Sequence, residues 1–199
     1  MEVRDEIGAR VCAGAKSVGY KGLATFEFLR DIHGKFYFLE VNPRVQVEHT
    51  VTEMITGHDL VSLGIRVAAG ESLPLKQEDI TISGHSIQCR INAEDPVKFV
   101  PSPGKLWDCH FPTGFGVRVD THAHVGYEMP GCFDSLLAKI VVWGRTREEA
   151  IASMKTALTE TVLVGVKSVI PLHLKILEES DYLAGNINIS YIEEHPELI

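Results

Sequence analysis

The chain has 199 residues, 45% of them hydrophobic and 23% charged, and a mean hydropathy of +0.05, the composition of a globular chain able to bury a core. Nineteen Lys and Arg stand against 27 Asp and Glu, a formal net charge of -8. That balance excludes a sequence-independent nucleic-acid binder, which needs basic surface to displace counterions. No run reaches the roughly 18 apolar residues of a membrane span, and the charged start MEVRDEIGAR has no signal-type apolar core. A cytoplasmic location is expected, or a mitochondrial matrix one after removal of a targeting segment. Cys12, Cys89, Cys109 and Cys132 lie far apart without a CxxC, so they read as mostly buried thiols of a reducing compartment.

In chain order, Val3, Ile7, Val11, Ala15 and Val18 recur at the helical period until Gly19 stops the run. The aromatic and β-branched runs 24–30 and 35–41, separated by Asp31-Ile32-His33-Gly34, predict an antiparallel hairpin. Pro43 cannot donate to a ladder, so pairing should end near it. Helical patterning resumes at 51–55 and 60–69, and the stretch 70–79, with Pro74 and mixed charge, reads as a linker. Two domains are expected, 1–75 and 76–199. Beyond the linker, short β-type runs at 80–82, 85–91, 116–120 and 137–143 alternate with Pro- and Gly-rich turns, which predicts an antiparallel sheet. Thr146 with Glu149 has the form of a capping box opening a helix, and a last helix is expected over 170–179. The fold class is α+β.

The most informative stretch is Glu40-Val41-Asn42-Pro43-Arg44-Val45-Gln46-Val47-Glu48, in which every even position is polar. In extended chain those side chains would share one surface. Glu27 joins Glu40 on that surface if the hairpin loop holds an even number of residues, and lies on the other side if the number is odd. Two carboxylates and an amide oxygen suit Mg²⁺ or Mn²⁺, Arg44 can grip a planar oxyanion, Gln46 can add a hydrogen bond, and Glu48 is left as a candidate general base. The same alternation also fits the wet face of an ordinary strand.

Residues 36–57 (FYFLEVNPRVQVEHTVTEMITG) closely resemble the signature of biotin carboxylases, the ATP-grasp enzymes of acetyl-CoA, propionyl-CoA and pyruvate carboxylases. The resemblance continues through Cys89-Arg90-Ile91-Asn92-Ala93-Glu94-Asp95-Pro96, Pro101-Ser102-Pro103-Gly104 and 133–139 (FDSLLAK). It implies the end of an ATP-grasp domain followed by a biotin carboxylase C-terminal domain. It assigns Glu27, Glu40 and Asn42 to the metals on ATP, Arg44, Gln46 and the Val47 N–H to bicarbonate, Glu48 to the general base and Arg90 to the biotin enolate. Biotin would come on another domain or chain, since no Ala-Met-Lys-Met motif is present. Whole biotin carboxylases also carry an N-terminal domain and a lid, so the piece is expected to be inactive alone. Its partners would be those domains, bicarbonate, the biotinylated carrier and a second copy, met through Phe115 and Arg118. A non-catalytic assembly module of the same fold is the competing reading. His49, His122 and His124 are expected to be structural or solvent-exposed.

Overall fold

The computed structural model describes residues 2–199, which divide into two compact units, one through Ile82 and one from Ser83 onward. The first unit opens with helix α1 (Glu2–Ser17), which half-buries Ile7, Val11 and Ala15. Strands β1 (Thr25–Arg30) and β2 (Phe36–Asn42) form an antiparallel hairpin. One face of it carries Phe26, Phe28, Phe38 and Val41, which with Val11 and Ala15 of α1 line a groove of about 460 Å³. Phe28 meets Phe36 and Phe38 edge to face, with centroids 6.4 and 5.8 Å apart.

The chain then runs through helix α2 (His49–Thr56), a left-handed Gly57 cap and helix α3 (Leu60–Ala68), which the Asp59 side chain caps at Ser62 N. The stretch 80–82, expected as a strand, is irregular and follows a 3-10 turn at Gln77–Asp79. Among the described residues no strand pairs with it, so it has no ladder to join.

The second unit is built on a three-stranded antiparallel sheet in the order β3 (His85–Asn92), β8 (Leu136–Gly144), β6 (Val117–Thr121). Central β8 buries side chains on both faces, Ala138, Ile140 and Val142 in the main core and Leu137 against Ala93, Leu106 and Met129, and Ile140, Val141 and Val142 are fully buried. Helix α4 (Arg147–Glu160) packs Ala150, Ile151, Met154, Ala157 and Leu158 against Cys89, Ile91, Ala138, Ile140 and Val142. Each fully buried aliphatic side chain there contributes on the order of 1.5–3 kcal/mol. Thr146 caps α4 by accepting from Glu149 N, while the Glu149 carboxylate accepts from Arg145 N, one residue ahead of the position a capping box would use.

Two short ribbons complete the layer: β4 (Gly104–Lys105) with β7 (Glu128–Met129), and β5 (Asp108–His110) with β9 (Val162–Val164). The expected last helix is two helices, α5 (Ile170–Ile176) and α6 (Ser180–Ala184). They break where Glu179 turns extended and caps Asp181 N and Tyr182 N. Helix α7 (Tyr191–Glu194) and a terminal 3-10 turn seat Tyr191 and Leu198 against Leu172. Of the four thiols only Cys89 is buried; Cys109 is half-buried and Cys12 and Cys132 are exposed, a correction to the expected burial. Cys12 lies on the solvent side of α1 and Cys132 in the turn after Pro130, where side chains meet water.

Candidate active site

The hairpin loop between Arg30 and Phe36 holds five residues, an odd number, which by parity alone places Glu27 opposite Leu39 and away from Glu40. A β-bulge removes that outcome. The register runs Arg30↔Phe36, Leu29↔Tyr37, Phe28↔Phe38 and then shifts to Glu27↔Glu40, leaving Leu39 as the extra residue. Phe38 and Glu40, two apart in sequence, therefore face opposite sides, and Glu27 and Glu40 are directly opposed.

Asn42 stands diagonally across the same face. Its Nδ2 donates to Glu27 Oε1 at 2.7 Å and to Glu40 Oε1 at 3.2 Å, so a single amide bridges the two carboxylates. Gln46 Nε2 also donates to Glu27 Oε1, at 2.9 Å. Two opposed carboxylates that draw in two amide donors create a place where positive charge is favoured, and their hard oxygens fit Mg²⁺ or Mn²⁺, while Asn42 turns its Nδ2 to them and its Oδ1 to Arg44.

The extended stripe stops where Pro43 ends β2. Arg44 N closes a tight turn onto Asn42 O at 2.9 Å, and Val47 and Glu48 lie in the turn that starts α2. The expected single surface from Glu40 to Glu48 is thus a strand end followed by a bend, because the proline ring cannot join a ladder. Arg44 is exposed and its fork makes only long contacts, Nη2 to Asn42 Oδ1 and Nη1 to Val45 O, both 3.3 Å. Gln46 Oε1 is buried with no hydrogen-bond donor among the described residues, and its amide orientation is fixed because Nε2 serves Glu27. An exposed guanidinium beside an acceptor lacking a donor suits a small anion that also carries an O–H. Glu48 is the exposed N-cap residue of α2.

The bend is held from below by two residues. His49 Nδ1 lies 2.7 Å from Gln46 O, and its Nε2 lies 3.7 Å from Glu53 Oε2. Glu53, only 9% exposed, accepts from Leu60 N at 2.7 Å and so ties α2 to the start of α3. Sequence reasoning misses Glu53; its one signal is the i, i+4 spacing from His49. A cavity of about 680 Å³ opens elsewhere in this unit, along Leu23, Leu60, Leu63, Val67, Leu75 and Ile80, and none of the stripe residues lines it.

In the second unit Arg90 is exposed on edge strand β3, opposite Lys139 of β8, which in turn faces Asp120 of β6. Asp120 takes a bidentate grip from Arg118, at 2.8 and 3.0 Å, and a contact from Lys139 at 3.2 Å. The Arg118 bonds, with Lys139 second, hold its carboxyl below the usual range. Burial pushes the Cys89 thiol up to about 12, so it is no nucleophile. His122 and His124 are exposed and meet Tyr127 edge-on, and neither belongs to a group of three metal-type ligands among the described residues. Phe115 is 96% exposed, resting edge-on against Trp143.

An antiparallel sheet backed by a helix, preceded by a carboxylate-bearing hairpin and an anion-suited bend, defines a class that comparison with known proteins makes specific. Residues 1–76 match the carbamoyl-phosphate synthase L chain ATP-binding domain, and residues 88–194 match the biotin carboxylase C-terminal domain. The biotin carboxylase of Haemophilus influenzae is 52% identical over 193 residues, 97% of this chain and 43% of its own length. Biotin carboxylase 1 of Bacillus subtilis is 48% identical over 196 residues, 98% of this chain and 44% of its own length. The biotin carboxylase domain dimer of Hydrogenobacter thermophilus 2-oxoglutarate carboxylase, solved with MgADP, ADP and bicarbonate, superposes with a TM-score of 0.97. It is 47% identical over 99% of this chain and 44% of that one. The chain belongs to the biotin carboxylase family and corresponds to its C-terminal portion. It spans about 43% of the length of the curated relatives it matches. Among the described residues no helix is long and apolar enough to cross a membrane.

Proposed function

We propose that this segment supplies the bicarbonate-activating and biotin-carboxylating groups of an ATP-dependent biotin carboxylase. Residues 1–75 would close its ATP-grasp domain and residues 76–199 form its C-terminal domain. The observation that carries the reading is the cluster around Glu27: two opposed carboxylates bridged by Asn42, beside an exposed Arg44 and the donorless Gln46 oxygen.

In this reading Glu27, Glu40 and Asn42 hold Mg²⁺ or Mn²⁺, which when bound neutralises charge on the ATP phosphates. Arg44 and Gln46, with the Val47 N–H, orient bicarbonate, and the Gln46 oxygen accepts a hydrogen bond from its hydroxyl. Glu48 takes a proton as general base, exposed enough to exchange it with solvent. Bicarbonate oxygen bonds to the γ-phosphorus as the bond to ADP breaks; the C–O bond of the resulting carboxyphosphate then breaks to give CO₂ and phosphate, the phosphate takes the proton from biotin N1, and N1 bonds to the CO₂ carbon. Arg90 offers a fixed positive charge to the biotin enolate oxygen. Biotin arrives on a carrier domain or protein. The exposed Phe115 and the neighbouring Arg118 contribute to a homodimer contact, an aromatic and arginine pair of the type that anchors interfaces.

The test separates two half-reactions in an enzyme containing this segment. Glu48→Gln keeps shape and removes the base, so carboxylation should fall by about 10² to 10⁴ with a smaller change in ATP affinity. Arg90→Ala should depress transfer to biotin more than bicarbonate-dependent ATP cleavage. Unchanged turnover in the first variant, or equal losses of both activities in the second, overturns these assignments.

A further inference from the structure

β3 is an edge strand: among the described residues only β8 pairs with it, so no strand pairs with the carbonyls on its other side. Unpaired edge carbonyls leave a strand free to shift unless something caps them. Two of them are capped from one element. His173 Nε2 lies 2.8 Å from the Arg90 carbonyl oxygen, and Val169 N donates to the Asn92 carbonyl at 3.3 Å.

The capping element is itself locked. Leu172 and Leu177 are buried, Leu174 packs on the main core, and Pro171 sets the first turn of α5. Farther along, Asn92 Nδ2 reaches Glu94 and Ser135 at 3.0 Å each, and Ser135 Oγ donates to Glu94, joining the end of β3 to the loop ahead of β8. The main chain that carries Arg90 is therefore gripped along its length.

We infer that His173 is a positioning residue for Arg90: its Nε2–H holds the Arg90 carbonyl and so fixes the backbone from which the guanidinium projects. This deepens the reading of Arg90 given above and rests on it for its consequence in catalysis. A carbonyl lies in the plane of the sheet and the side chain stands across it, so rotation of that peptide swings the guanidinium at the end of a long, flexible stem. Displacing a reacting group by about 1 Å costs roughly 10²-fold in rate. Burial lowers the pKa of His173 against a smaller opposing pull from the Arg90 carbonyl. The ring is then neutral at pH 7, with its proton on Nε2 where the carbonyl accepts it.

The experiment compares His173→Leu with His173→Gln, whose amide N–H can make the same bond. In the 199-residue chain, the ¹³C resonance of the Arg90 carbonyl should move in the leucine variant and return toward the parent value with glutamine. In an enzyme containing the segment, leucine should lower kcat for biotin carboxylation at least tenfold while ATP cleavage falls less, and glutamine should restore most of it. An unmoved carbonyl resonance, a folded glutamine variant no better than leucine, or equal loss of both activities overturns the inference. If Arg90→Ala leaves biotin carboxylation intact, the role of Arg90 fails separately and the carbonyl resonance alone decides whether His173 holds that peptide.

Discussion

Gly165 and Gly185 both have positive φ, 114° and 81°, yet substituting alanine at them should have very different consequences. At Gly185 a Cβ meets nothing within 4 Å, so Gly185→Ala incurs only the left-handed backbone penalty, about 1 kcal/mol. At Gly165 the same atom would lie 1.9 Å from the Lys105 carbonyl oxygen and 2.9 Å from Trp107 Cδ1. Ordinary carbon to oxygen contact begins near 3.3 Å, so the link between β9 and α5 must retreat from β4 by about 1.4 Å. That retreat strains the bond from Trp107 N to Val164 O, now 2.8 Å, and the β5–β9 ribbon beside it. One or two neutral hydrogen bonds at about 0.5–1.5 kcal/mol each, plus about 1–3 kcal/mol of backbone strain, give roughly 1.5–6 kcal/mol. At about 4 °C per kcal/mol the melting temperature should fall by roughly 6–24 °C for Gly165→Ala and about 4 °C for Gly185→Ala. The two tryptophans, Trp107 and Trp143, both belong to the second unit, so their fluorescence in a thermal melt reports that unit directly. Equal shifts in the two variants would refute the steric argument.

Two further outcomes are expected. Thr146→Ala removes the acceptor for Glu149 N at the start of α4 and should lower stability by about 1 kcal/mol in urea unfolding, with Thr146→Ser close to the parent. The C-terminal segment should be held most firmly in mildly acidic solution. The Tyr191 hydroxyl, ahead of the Tyr182, Ser180 and Asp181 donors, brings Glu179 down to about 2, so its contribution is present above about 4.5 and is lost as pH falls through about 2. Glu197, with Glu179 and Asp181 also nearby, raises the pKa of His195, so its contribution is full below the ordinary histidine value and is lost as pH rises past the raised one. Lys175 also holds this segment, reaching the Leu198 carbonyl at 2.9 Å. Hydrogen exchange over residues 180–199, corrected for intrinsic rates, should be slowest between about pH 4.5 and 6.5. A monotonic profile would contradict the assignment.

Where the sequence carries a strong period, its reading and the structure agree. The four-residue spacing of Ile7, Val11 and Ala15 marks the face of α1 that is half-buried, and the aromatic runs on either side of Asp31–Lys35 are the hairpin. Elements without enough residues to show a period escaped: β4 and β7 are two residues long, β5 and β9 three, and each exists only because tertiary partners supply its ladder. The break between α5 and α6 escaped because Glu179 acts through its side chain as a cap while its composition continues the helix. In the candidate site, residue types were legible and their faces were not. Whether Glu27 meets Glu40 depends on an extra residue at Leu39, and nothing in Phe36-Tyr37-Phe38-Leu39-Glu40 marks that position. His173 acts on a main-chain atom distant in sequence, a role that no local pattern announces, and the i, i+4 spacing of Glu53 from His49 does not show that its carboxylate holds Leu60 N.

The bulge at Leu39 also makes the length of the Asp31–Lys35 turn an evolutionary variable coupled to a site it never touches. An odd turn with one bulge and an even turn with none are equivalent solutions for keeping Glu27 and Glu40 together. A lineage that gains or loses one residue at the exposed tip must therefore change the bulge in step, or its two carboxylates part company. Insertions in pairs at that tip escape the constraint entirely, and would be the ones tolerated.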